Sequence, residues 1–365
     1  MVSRLHANTR PLFQQLLLVL LILPLGLPPG RLQRIALYLT GLILLDRDQT
    51  ACRIARYLPG RQHDSLNYLL RRSALSPQHL MRRLALWVQT LGPGFFSLDD
   101  VVVEKPWSKL LPFVGWTYST TRKEKVRGLV IVVLFWSNGT LRIPVSFRLW
   151  KPKERCLLGE YRTKLQLAQE MLQEVLAHGL RPTYVVFDAW YNARRFTRFL
   201  ARHGLVWVSV LKSNARVRPR RYYCPVSRFA SRLPVDISIR GFRVHLRGYG
   251  KVKLVVVKDG ATTHYLVTNA LRCPPQEVLR RKKSRWDAEE SFRDAKQLAG
   301  LQACQARVPQ ALPRHVALVL LTLAVLQLLK QDPSETTGQV KERFQLLSIT
   351  GTSRPSPQIP AAKTA

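Results

Sequence analysis

From residue 1 to about residue 92 the apolar positions recur at helical spacing, and the pattern predicts a string of helices. The run QQLLLVLLILPLGLPP is apolar on all sides and ends at Pro28 and Pro29. Arg31–Leu44, Asp48–Leu58, His63–Ser73 and Ser76–Leu91 follow, the last with Ser76 as N-cap and Pro77 at the first helical position. At LGPGFFSLDD the texture changes. FFSLDDVVV, Val126–Trp136 and Thr140–Trp150 read as strands, the last two joined by the turn SNG. Lys164–His178 reads as a helix, Tyr184–Phe187 as a strand closing at Asp188, the stretch near Asn192–His203 as a helix and Val206–Leu211 as a strand.

Hairpin strands followed by strand–helix alternation predict an α/β protein, a mixed sheet flanked by helices, in the element order of the ribonuclease H-like fold. Ser213–Thr268 is strand-rich, glycine-punctuated and basic. A helix from the Pro274–Pro275 pair to about Leu298 and a second apolar helix, HVALVLLTLAVLQLLK, come after it. The chain divides on this reading into an N-terminal helical, DNA-binding domain (1–92) and a first part of the catalytic core (93–212). A basic β-rich insertion (213–272), the rest of the core (273–330) and a mobile tail rich in Ser, Thr, Pro and Gly (331–365) follow. Helices bearing Arg53, Arg56, Arg71, Arg72, Arg82 and Arg83 suit a helix-turn-helix unit or any small basic bundle.

Charge narrows the field. Lys and Arg number 58 against 22 Asp and Glu, a formal +36, and such a surface calls for a polyanion, by default nucleic acid. Five scattered cysteines without a Cys-x-x-Cys pair suit reduced thiols in a cytosol, and neither they nor the eight histidines show zinc-ligand spacing. Both apolar runs fall short of the roughly 20 residues a bilayer span needs, so they read as buried helices and no membrane is expected. In SNARVRPRRYYCPV, Arg218, Arg220 and Arg221 adjoin Tyr222 and Tyr223, a pattern for phosphates and stacked bases or for a solvated hairpin loop.

Carboxylates are scarce, so their positions carry information. Asp99 and Asp100 lie on the first strand, Asp188 closes the fourth, and RWDAEESFRDAK lies on the helix after the fifth. The proposed topology brings these places together. Phosphoryl transfer on DNA needs such convergence, because two Mg²⁺ ions held by carboxylates activate the attacking oxygen and stabilise the leaving one. At about 100° per residue, Glu289 and Lys296 fall roughly 40° and 20° from Arg285, whereas Glu290 and Asp294 point away. Glu289 is thus the better metal ligand, and Arg285 and Lys296 can hold phosphate. By itself the helix is equally an ordinary one with Arg285–Glu289 and Glu289–Arg293 pairs four apart.

With these residues in place, LDDVVVEKP, VVFDAWY and RWDAEESFRDAKQLAGL resemble the three acidic motifs of bacterial insertion-sequence transposases with a DDE triad. The third resembles the Y-R-E-K signature of the insertion sequence four family. Arg285, Glu289 and Lys296 match that signature in type and spacing, while Lys282 stands at its Tyr and Val101 at the usual Thr. The resemblance implies Asp100, Asp188 and Glu289 as metal ligands, Asp100 being the second of the acidic pair. It further implies two Mg²⁺ ions (Mn²⁺ as substitute). Arg285, Lys296, Lys282 and Arg293 of the helix and Arg218, Arg220, Arg221 and Tyr222 of the insertion are the residues expected on the DNA.

The implied activity is cleavage at mobile-element ends, second-strand resolution through a hairpin, and strand transfer into target DNA. A homodimer on double-stranded inverted repeats, in bacterial cytoplasm and nucleoid-associated when bound, would carry it out. A catalytically silent DNA-binding derivative and a stand-alone metal-dependent nuclease are the alternatives.

Overall fold

Helix starts in the first ninety residues are set by local chemistry. Pro11, Pro29 and Pro77 occupy first-turn positions, where a missing N–H costs nothing, and the Thr50 and Ser76 hydroxyls accept from the N–H groups of Arg53 and His79. A computed structural model describes residues 9–58, 62–108, 110–119, 122–234, 238–260 and 262–350. It has α1 (Arg10–Ile22), α2 (Pro29–Leu44), α3 (Ala51–Tyr57), α4 (Gln62–Arg71) and α5 (Pro77–Gln89) close to the predicted places. Gly41 lets α2 and α3 touch: a Cβ there would overlap the Ile54 side chain.

The sheet begins with β1 (Phe95–Glu104), β2 (Val114–Ser119), β3 (Glu124–Ser137) and β4 (Arg142–Trp150). The hydropathy pattern missed β2. Its side chains alternate Trp116 and Tyr118 outward with Gly115 and Thr117 half-covered, a weak apolar signal typical of an edge strand. One side of β3 pairs with β1 along its length, while β2 and β4 share the other end to end. The turn between β3 and β4 closes on Asn138, whose side-chain oxygen accepts from the N–H groups of Thr140 and Leu141.

After α6 (Lys164–Ala177), with its Thr163–Gln166 capping box, come β5 (Val185–Phe187), α7 (Arg194–Arg202) and β6 (Trp207–Val210). β5 is parallel to β1 and to β6, giving the order β4-β3-β1-β5-β6. The insertion adds β7 (Arg216–Arg218), β8 (Cys224–Pro225), a short α8 (Val226–Ala230), β9 (Ile239–Leu246), β10 (Gly250–Asp259) and β11 (Thr262–Thr268). β11 pairs with β6, so the insertion prolongs the core sheet to eleven strands among the described residues. The architecture is a ribonuclease H-like mixed sheet flanked by helices.

Two expectations change here. The predicted single helix from Pro275 is α9 (Pro275–Lys283) and α10 (Trp286–Gln297). At the junction the Ser284 hydroxyl turns back to the Arg281 carbonyl (2.6 Å), and Ala288 N–H reaches Arg285 rather than Ser284. The tail is not free as far as residue 350. α12 (Thr337–Thr350) buries Val340 and Phe344, and the Lys341 ammonium donates to the carbonyls of Leu45 and Leu298 at 2.8 and 2.9 Å. Ser, Thr and Pro mark caps and turns as well as mobile chain, and composition alone did not separate them. Residues 351–365 lie outside the described residues.

α11 (Ala311–Leu328) is the second apolar run. Its mean hydropathy of 1.7 over 18 residues would suffice for a membrane span by length and composition, yet 89% of it is buried inside the protein. One apolar cluster runs from Leu12 to Phe344, so the N-terminal helices and the sheet share a core. Within it the His315 ring joins the Tyr38 hydroxyl (2.8 Å) to the Gly300 carbonyl (3.0 Å).

Candidate active site

The last register pair between β1 and β5 is Leu98–Phe187. Beyond it β1 continues alone on that side, and the gap holds Asp99 and Asp100 from β1 and Asp188 from the turn after β5. Successive strand residues face opposite ways. Asp99 pairs with Val133, on the face where Phe135 meets Phe292 of α10 at 5.5 Å. Asp100 points to the face of α6 and α7. Because the edge is open there, side chains from both faces converge on it.

Each carboxylate has its own partners. Asp100 receives the Lys164 ammonium on both oxygens (3.1 and 3.0 Å) and the Tyr191 hydroxyl (2.8 Å). One oxygen of Asp188 accepts from the N–H groups of Trp190 (2.9 Å) and Tyr191 (3.2 Å). Tyr191 therefore ties the two together, its backbone on Asp188 and its hydroxyl on Asp100. The Arg285 guanidinium bridges Asp99 (3.1 Å) and Glu289. Lys164 also lies 4.1 Å from the centre of the Trp190 ring.

The electrostatics are those of crowded acids. Burial, then the neighbouring Asp188, pushes Asp99 up from 3.8 to about 7. Burial raises Asp188 as well, opposed by its two backbone hydrogen bonds and reinforced by Asp100. Tyr191 stands well above the usual phenol range, through burial and then Asp100, so it remains a hydrogen-bond donor at neutral pH.

Glu290 and Asp294 point away, as the helical wheel implied, and both pair with Arg142 of β4. Lys296 is half-buried near Glu104 at the far end of β1, and the ammonium of Lys282 lies near Arg285 and Glu289. Arg293 is exposed beside Glu290 (3.7 Å). Arg218, Arg220, Arg221 and Tyr222 are not brought to the carboxylates. They sit on and after β7, six strands from β1 along the sheet, with Arg218 over the Tyr223 ring and Arg221 over that of Tyr222.

Sequence reasoning did not single out Lys164, Tyr191 or the Asp99–Arg285 contact. The capping box could have placed Lys164 at the start of α6, but only the crossover brings that end to β1.

All the donors are carboxylate oxygens, which suits a hard divalent cation. Among the described residues, no three acidic, His or Cys side chains already stand at ligand spacing around one point; Lys164 pairs with Asp100, and Arg285 with Asp99 and Glu289. Against known families, residues 27–227, more than half of the chain, match the profile described as DDE superfamily endonuclease, and residues 160–325 match a transposase DDE domain. The chain belongs to the DDE superfamily of endonucleases.

The second match of this DDE superfamily member runs from just before α6 to the end of α11, so it takes in Asp188 and Glu289. A curated relative, the probable transposase for insertion sequence element IS701 of Microchaete diplosiphon, is 26% identical over 147 residues. The match spans 38% of each of the two proteins.

Proposed function

We propose that this chain is a transposase that cuts DNA at the ends of a mobile element and joins the freed 3′-hydroxyl to target DNA. The observation that carries the reading is the open edge beside β1. Asp100 and Asp188 are tied together there by Tyr191, and Glu289 faces them from α10, in a chain of net charge +36. Asp100, Asp188 and Glu289 are the residues that would hold divalent metal, Mg²⁺ or Mn²⁺. Two such ions, when bound, would activate the attacking oxygen and stabilise the leaving one.

The remaining residues position and neutralise. Tyr191 orients Asp100 and keeps its proton. Asp99 anchors Arg285 beside Glu289, where the guanidinium and Lys282 can hold a phosphate of the cut strand. Lys164 reaches the same edge from α6. The family resemblance extends this to the insertion sequence four group, to a hairpin route for the second strand, and to a dimer pairing two inverted repeats in the bacterial cytoplasm.

The test uses labelled oligonucleotides carrying the inverted repeats that flank the gene, with Mg²⁺ or EDTA. Wild type should nick at the repeat boundary only with metal, and Glu289→Gln should bind the ends without nicking. Cutting by that variant would overturn the assignment. Tight binding with no cutting under any metal would favour a silent DNA-binding derivative, for which Lys282 and Val101 leave room. Cutting without strand transfer of a pre-cut end would favour a stand-alone nuclease.

A further inference from the structure

α7 has the sequence RRFTRFLAR, without an acidic residue. Its apolar side buries Phe196 and Leu200, with the Phe196 ring against Phe187 of β5. The other side turns Arg194, Arg195, Arg198 and Arg202 into a groove of about 380 Å³ shared with Gln169 of α6. Among the described residues no carboxylate lies within ion-pair distance of these four. Glu170, next to Gln169, is taken by Arg162 at 3.1 Å.

Four guanidiniums held together unpaired repel one another, and they call for anions spaced along a line. Residues 195, 198 and 202 are three and four apart, so their side chains follow one stripe rising about 1.5 Å per residue, some 10 Å from first to last. That span covers two to three phosphates of a nucleic acid strand. The stripe is also connected at its upper end. α7 starts just after the Asp188–Tyr191 turn and runs away from the carboxylates beside α6, on the face opposite α10. A Cβ at Gly248, in the β9–β10 turn, would lie 3.2 Å from the Arg194 side chain, so this turn with its exposed Arg247 continues the basic surface into the insertion.

We propose that the α6–α7 groove is a phosphate-backbone track that carries duplex DNA away from the carboxylate edge without reading its sequence. The assignment rests on the DNA-cutting reading for its biological meaning, but its test does not depend on cutting. The full chain is titrated in EDTA with a fluorescent duplex of arbitrary sequence, by anisotropy, across a salt series. The variants are R195A/R198A/R202A and R195K/R198K/R202K; Arg194 is left in place because its stem packs on the turn.

Each lost phosphate contact should flatten the log–log salt slope by about 0.9, so the alanine triple should lose roughly two to three from the slope. It should bind at least tenfold more weakly near 0.1 M salt, and the lysine triple should keep most of the slope. An alanine triple with wild-type slope would overturn the track. So would an equal fall in K125A/R181A/R307A, which removes the same charge from exposed positions outside the N-terminal helices, the insertion and α7 and would trace the effect to the overall field. A normal alanine-triple effect in a protein that never cuts its element ends would leave the track standing and refute the transposase reading alone.

Discussion

Asp99→Asn should stabilise the metal-free protein at alkaline pH and leave it little changed in acid. The Asp99 carboxyl is buried beside Asp188 and titrates near 7 rather than at the ordinary 3.8. Its folded-state pKa is raised, so between these values the native protein holds a proton that the unfolded chain has released. Folding then takes up a proton, and stability falls as pH rises through this window and levels off above about 7. At about 1.4 kcal/mol per pH unit, the ionised group costs the fold about 4 kcal/mol at pH 8, of which about 3 kcal/mol is lost between pH 5 and 8. Asp188 is raised too, so it adds a slope of the same sign that both proteins share.

Asparagine cannot ionise, and the value near 7 already contains the attraction of Arg285, which lowers it. The net expectation is a variant more stable than wild type by up to about 4 kcal/mol at pH 8, an advantage that shrinks to about 1–2 kcal/mol at pH 5 and vanishes near pH 4. Equilibrium denaturation in EDTA at pH 5, 6, 7 and 8 measures it. A difference between the two proteins that does not change with pH would refute the reasoning, because it would show that Asp99 ionises normally. Asp100→Asn is the contrast: it loses the ion pair with Lys164 and weakens the Tyr191 hydrogen bond, and it should lose stability.

Four further outcomes follow from the packing and the site. Asp100→Asn should abolish metal-dependent nicking, whereas Asp99→Asn should keep nicking at a reduced rate; matched single-turnover assays separate them. Gly41→Ala should destabilise by about 2 kcal/mol in denaturant despite the better helix propensity of alanine, because the new methyl overlaps Ile54. Phe344→Ala should cost about 3 kcal/mol, and an unchanged midpoint would mean that α12 does not dock. His315 is buried and its pKa falls from 6.5 to about 4, so it stays neutral in the fold while the unfolded chain takes a proton. Stability should therefore drop by up to about 3 kcal/mol as pH falls from 6.5 to 4, and His315→Asn, weaker at pH 7, should lack that part of the slope.

Helices with caps and strands with buried faces were legible in the residues. Ser76–Pro77, Tyr184–Asp188 and the SNG turn all lie where spacing and turn chemistry put them. β2 was not legible, because an edge strand with outward Trp116 and Tyr118 lacks an apolar stripe. The docking of α12 was hidden because two of its anchors, Lys341 and Arg343, are long basic residues of a kind that usually faces solvent. Yet the Lys341 ammonium reaches buried carbonyls and Arg343 pairs with Glu335 at 3.0 Å. Period cannot reveal a long side chain that buries its stem and satisfies its charge locally.

At the site, spacing placed Glu289 beside Arg285 and turned Glu290 and Asp294 away. Strand alternation sends Asp99 and Asp100 to opposite faces of β1, but it could not say what each would meet or that both would reach one opening. The answer depends on β5 being three residues long. A longer β5 would cover the edge beside β1 and confine Asp99 and Asp100 to opposite sides of a closed sheet. Because β5 stops at Phe187, the strand's two acids, the Asp188 turn, Lys164 and α10 share one opening. Four of the chain's 22 carboxylates, Asp99, Asp100, Asp188 and Glu289, are thereby gathered at one opening, where they repel one another. Lys164 and Arg285 counter that repulsion, while burial first and the neighbouring Asp188 second hold the Asp99 carboxyl above its usual range. Such an excess of negative potential would stabilise a bound divalent cation, and the arginine stripe of α7 would favour a polyanion leaving the same edge.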